Sequence, residues 1–202
     1  MTIHTFQYRP EDVSCTLCTE YSQKEGCTAD VCPWLSERIA AGAAGYQEAI
    51  MEMLPRSAHM DPRLRTAVRR FTGSLFLTPA HRKRMKQARV QQGIRRKRDT
   101  PAYFAALFLL TANEELYERT ASCFCKHRIE FSRAVLRNIS PHNFTLFSAA
   151  RDIYCDSSGL TVSDLANSEV VDTLAFSLIV NAMLIARYGC TALKITDREG
   201  KT

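Results

Sequence analysis

Four cysteines within eighteen residues, Cys15, Cys18, Cys27 and Cys32, constrain this 202-residue chain more than any other feature. Their spacing is C-x2-C-x8-C-x4-C: a close pair, a polar excursion from Tyr21 to Gly26, then a looser pair. A thiolate tetrahedron needs two short clips brought together, and a C-x2-C turn points two sulfurs at one ion. Gly26, just before Cys27, supplies backbone freedom for a second turn. Cys32 precedes Pro33, a residue favoured at the first helical position, so the fourth thiolate is expected where free N–H groups and the helix dipole stabilise it. The pattern predicts a structural Zn2+ site. Its shell of four sulfurs leaves no open position for water, so the metal would hold structure without performing chemistry. Disulfides, an iron–sulfur cluster and plain buried thiols are the rivals. Met1 to Pro10 is polar, with no apolar run of a signal peptide, which points to a reducing cytoplasm and weighs against disulfides. Trp34, the only tryptophan, follows the last ligand and either shields the sulfurs or simply packs.

Behind this module the patterning is helical. Three segments are expected: a zinc module with its following helix over 1–55, a basic helical segment over 56–99, and an apolar helical bundle over 100–193. A first helix is predicted from Pro33 to Leu54, with Leu35, Ile39, Tyr46, Ile50 and Met53 as its apolar stripe and Gly42 and Gly45 interrupting it. Asp61-Pro62, Thr78-Pro79, Thr100-Pro101 and Ser140-Pro141 each place a capping side chain before a proline suited to a first turn. They predict helices over 62–72, 79–92, 101–112 and 141–154, and Asn113 caps a further one over 114–120. Asp172 to Tyr188, apolar over most of its circumference and stopping at Gly189, is expected to be a central, enclosed helix. Ala102 to Leu110 is its partner, and Phe144, Phe147, Ile153 and Tyr154 close the bundle. The run from Leu174 to Ala186 is too short to cross a bilayer, so no membrane span is expected. The fold class is all-α.

Charge is unevenly distributed. The chain carries +6 overall, but residues 56–98 hold fourteen Lys and Arg against Asp61 alone, a local +13 that leaves −7 for the remainder. In the helix opening at Pro79, Arg82, Lys86 and Arg89 share one face, while Leu77, His81, Met85 and Ala88 face the core. Lys83 adjoins them, Gly93 ends the helix, and Arg95, Arg96, Lys97 and Arg98 follow as a run. Several cations at phosphate-like spacing, on a surface cheap to desolvate, gain affinity by counterion release. Nucleic acid or an acidic protein is therefore the expected partner, and a merely solvated surface, or pairing with Glu114, Glu115 and Glu118, is the bland alternative.

Cys123, Cys125 and His127 are candidate ligands of a second metal, because alternation along an extended segment would put all three on one side. If open to water, it would suit hydrolytic chemistry. No nucleophile with an adjacent base, P-loop or dinucleotide fingerprint is visible, so no catalytic residue is assigned.

The segments Thr78–His81, Ala102–Tyr117, Leu160–Ala166 and Asn181–Gly189, together with Cys32–Arg38, resemble a cysteine-containing protein family carried on integrative and conjugative elements of Gram-positive gut bacteria. The resemblance implies a mobile-element setting, hence DNA transfer or maintenance, or the countering of host defence as anti-CRISPR proteins do. It supplies no catalytic residues. Taken together, the expected function is that of a zinc-stabilised, nucleic-acid-associated accessory protein. The alternative is a protein-binding inhibitor of a host nucleoprotein defence system, and a metal-dependent hydrolase stands third.

Overall fold

A computed structural model of the chain describes residues 7–29, 31–54 and 57–195; the expectations for residues 1–6 and for Arg56 lie outside them. The architecture is all-α: nine helices and one two-stranded hairpin among the described residues. Its centre is α9 (Thr173–Tyr188), started by Asp172, whose carboxylate accepts the Leu174 and Ala175 N–H groups at 2.8 and 2.9 Å. It stops at Gly189, where φ of +69° suits a residue without Cβ. Against α9 pack α5 (Pro101–Leu110) and α7 (Pro141–Cys155). Every side chain of α5 from Tyr103 to Leu110 is buried, as an all-round apolar helix must be. Each large one contributes about 1.5–3 kcal/mol of burial.

Three of the four cap–proline pairs start helices as expected. Thr78 opens α4 (Pro79–Gln92) by accepting His81 N–H at 3.1 Å, Thr100 opens α5 by accepting Tyr103 N–H at 3.2 Å, and Ser140 opens α7 by accepting Asn143 N–H at 3.2 Å. Asn113 caps α6 (Glu114–Thr120), as its position implied. The fourth pair behaves differently. The helix α3 (Met60–Arg70) begins before it, so Asp61 and Pro62 both lie inside its first turn, where proline is still tolerated.

The predicted helix over 33–54 is two helices, α1 (Leu35–Ala40) and α2 (Tyr46–Met53). Gly42 takes φ of +68° and Gly45 is extended, so the glycines break the helix rather than kink it. The short α8 (Val162–Ala166) was not anticipated from the apolar periodicity. A capping box in which Thr161 and Asp164 satisfy each other's backbone N–H makes it possible. Phe144, Leu77 and Leu174 are exposed, contrary to their expected core roles.

One apolar core runs from Leu35 to Ile195 and crosses the positions 55 and 99 where the sequence suggested divisions. A buried polar clamp ties α2 to α9 within it. Tyr46 donates to Asn181 Oδ1 at 2.7 Å, and Asn181 Nδ2 donates to the Leu75 carbonyl at 2.9 Å. With its 3-10 continuation, Thr173–Lys194 is long and apolar enough, by length and composition, to cross a membrane, although Leu174–Ala186 alone is not. In the fold its inner side is covered by α5 and α7.

Candidate metal centre and basic surface

The amino-terminal segment turns twice. Cys15 opens a 3-10 turn capped by Ser14, and Cys18 N–H returns to the Cys15 carbonyl at 3.0 Å. Tyr21 then enters β1 (Tyr21–Ser22), which pairs antiparallel with β2 (Gly26–Cys27), Tyr21 opposite Cys27. Gly26 has φ of +77°, the turn freedom its position required. Cys15, Cys18, Cys27 and Cys32 all line one cavity of about 310 Å³, with Trp34, Arg38, Glu48 and Glu52. None of the eight cysteines is paired in a disulfide. Among the described residues no three His, Cys, Asp or Glu side chains are drawn together as a ligand shell.

Cys32 is not at a helix start, because α1 begins three residues later at Leu35. Its N–H instead donates to the Glu52 carboxylate of α2. Its sulfur accepts from Arg38 Nη1 at 3.8 Å, and Arg38 forms a bidentate pair with Glu48. Burial disfavours the Arg38 charge, but the Cys32 sulfur and the Glu48 carboxylate outweigh it and hold the guanidinium above its ordinary pKa. The cavity is thereby fastened to α1 and α2 by polar bonds. Trp34 lines it while half exposed, which fits a lid more than a core residue.

Cys123, Cys125 and His127 are not gathered as a ligand set. The chain turns back on itself there: Cys125 N–H donates to the Arg128 carbonyl at 3.0 Å and Glu130 N–H to the Cys123 carbonyl at 2.8 Å. Phe124, extended, bridges Ile129 between those two bonds, so the alternation holds as far as Cys125 and is lost at His127, which lies in the turn. Cys123 is buried, and burial, followed by the neighbouring Cys125, pushes its thiol up to about 11. Cys125 and His127 border a separate surface hollow that Cys123 does not reach.

On the basic surface, Arg82, Lys83, Lys86 and Arg89 stand exposed along α4 while His81, Met85 and Ala88 face inward. Arg95, Arg96 and Lys97 are also exposed. Arg98 is not. It is buried, pairs with Asp99 at 2.8 Å, donates to the carbonyls of Gln92 and Gly93 at the end of α4, and lies 4.6 Å over the Tyr103 ring. Two more cations are spent on backbone. Arg84 donates to the Thr111 and Ala112 carbonyls at the end of α5, and Arg63 to those of Leu165, Val171 and Asp172. Arg84 and Arg98 stand at the C-terminal ends of α5 and α4, where the last carbonyls have no partner within the helix.

Asp99 was not singled out in the sequence. Its carboxylate accepts Arg95 N–H at 3.0 Å and the Arg98 guanidinium, closing the turn on which Arg95, Arg96 and Lys97 are carried. Desolvation opposes its charge, but the Arg95 N–H and Arg98 lower its pKa below the usual carboxylate value. Its signature was legible: the first acid after a long cationic run, four residues beyond Arg95. Glu115, a suspected internal partner for the cations, is taken by Arg119 at 2.9 Å and by Asn143.

No family model, no curated protein and no solved structure matches this chain, so its function has to be argued from its own residues.

Proposed function

We propose that this protein is a zinc-stabilised, nucleic-acid-associated accessory protein. The observation that carries the reading is the exposed cationic row of α4 continuing into an Asp99-braced turn, which together present seven cations outside the core. Among the described residues, Arg82, Lys83, Lys86, Arg89, Arg95, Arg96 and Lys97 form no ion pair at contact distance, whereas Arg98 does. Surface cations left unpaired are the groups that displace counterions from a phosphate backbone. A mobile-element setting, in which nucleic acid is handled without an active site on the accessory chain, agrees with this surface.

Cys15, Cys18, Cys27 and Cys32 are the residues that would hold the zinc. Support comes from their shared cavity, the C-x2-C turn, and a hairpin that delivers Cys27 beside it. Four sulfur donors favour Zn2+, and a closed shell makes its contribution one of folding. Arg38 offsets part of the negative charge that four thiolates concentrate there.

The test is binding to DNA and RNA oligonucleotides as a function of salt. With six or more phosphate contacts, affinity should fall by roughly three orders of magnitude between low and physiological salt. The combined charge reversal R82E, K86E and R89E should weaken it at least about tenfold. Salt-insensitive or absent binding rejects the reading. A pull-down that keeps protein partners after nuclease treatment would favour the inhibitor of a nucleoprotein defence system.

A further inference from the structure

The segment joining α3 to α4 folds over a cavity of about 400 Å³ that opens beside the basic row. Two half-buried aromatic rings line it, and both are fixed. Phe71 stacks on Tyr46 with centroids 4.0 Å apart and an 8° interplanar angle, while Phe76 is held by Phe108 and His81 at 5.5 and 5.1 Å. Cations stand next to them. Arg70, exposed at the end of α3, lines the cavity, and the Arg82 guanidinium lies 5.0 Å over Phe76, with Nη2 donating to Ser74 Oγ at 3.3 Å. Among the described residues lining the cavity no side chain is acidic, while hydroxyl groups of Ser74 and Ser177 do line it. Leu77 and Leu174 contribute exposed apolar surface at the same place.

We propose that this cavity receives one unstacked base of a single-stranded nucleic acid, with the flanking phosphates on Arg70 and Arg82. The inference rests on the nucleic-acid reading above and adds which form is bound. Rigid aromatic faces give a base something to lie on, cations at the rim meet its backbone, and hydroxyls within reach of its edge accept or donate hydrogen bonds. A duplex base is already paired and stacked, and would first have to be extruded. The exposed face of α4 then carries the strand away from the cavity.

The measurement uses the full chain with a short oligothymidylate bearing one 2-aminopurine, as a single strand and as a duplex of the same length. The single strand should bind at least about tenfold tighter, with a change in 2-aminopurine emission on binding. Thr72→Trp, at an exposed position lining the cavity, should plug it, and Arg70→Gln should remove a phosphate contact. Each should weaken single-strand binding about tenfold and leave duplex binding and Tm unchanged. Equal affinity for strand and duplex, or single-strand binding indifferent to both variants, overturns the base pocket and leaves the basic-surface reading standing. Absence of binding to either form overturns both.

Discussion

His81 shows how a single side chain is used on the buried edge of the basic helix. Its Nε2 bonds the Phe108 carbonyl at 2.8 Å and its Nδ1 accepts Leu77 N–H at 3.3 Å, an arrangement that needs the neutral ring protonated on Nε2. Burial, partly offset by the Phe108 carbonyl and reinforced by Arg84, lowers its pKa from 6.5 to about 4. The folded chain therefore binds fewer protons than the unfolded chain below about pH 6.5, and stability falls as pH drops from there to about 4. The loss should reach roughly 3 kcal/mol, read as a lower urea midpoint at pH 4.5 than at pH 7. His81→Leu should flatten that dependence, leaving the part owed to carboxylates such as Asp99, while lowering stability at pH 7, and an unchanged pH slope would refute the assignment. Asp99 offers a sharper contrast. Removing an acid from a cationic surface should strengthen anion binding by simple Coulomb attraction. Because Asp99 braces the turn, Asp99→Ala should instead weaken oligonucleotide binding several-fold in a titration at fixed salt. Tighter binding would show that the turn needs no brace.

At the scale of elements, helix starts were legible where a capping side chain stands directly before proline and tertiary packing agrees. Thr100→Ala, which removes the acceptor for Tyr103 N–H, should cost about 1 kcal/mol in denaturant melts. Helix ends were legible at Gly93 and Gly189, both with positive φ. Between Leu35 and Met53 the apolar stripe continues in phase while the backbone breaks, so periodicity alone reads one helix where there are two. Gly42→Ala should cost about 1 kcal/mol, since its φ of +68° penalises a Cβ even though no atom lies within 4 Å of it. A neutral or stabilising effect would mean the break can be repaired into a continuous helix. The segment carrying Cys123 to His127 teaches the same lesson for strands: the chain is extended at Phe124 and turns before His127, and alternation reaches only as far as the extension.

For the whole molecule, the cysteine module lies beside the core that α5, α7 and α9 share, with Cys32 at the seam. Metal analysis of the purified chain should therefore give one zinc. Chelation, or Cys15→Ser with Cys18→Ser, should raise hydrogen exchange in residues 7–33 while leaving α5 and α9 protected. A chain without metal whose exchange is indifferent to those substitutions would remove zinc from the account. The cations divide in a comparable way. Arg82, Lys83, Lys86, Arg89, Arg95, Arg96 and Lys97 face solvent, whereas Arg63 and Arg84 are consumed by carbonyls that folding brings near and Arg98 by those at the end of α4.

By itself the sequence determined the all-α class, the position of α4 to α7 and α9, and the clustering of thiols and cations, because caps, periodicity and composition act over a few neighbouring residues. Only the tertiary structure decided which cations remain for a partner, that Phe71 and Phe76 line a cavity with Arg70, and that Cys123 is sealed away from His127. Those outcomes depend on which backbone carbonyls and rings arrive from distant segments, and a buried donor takes the nearest unpaired acceptor whatever its place in the chain.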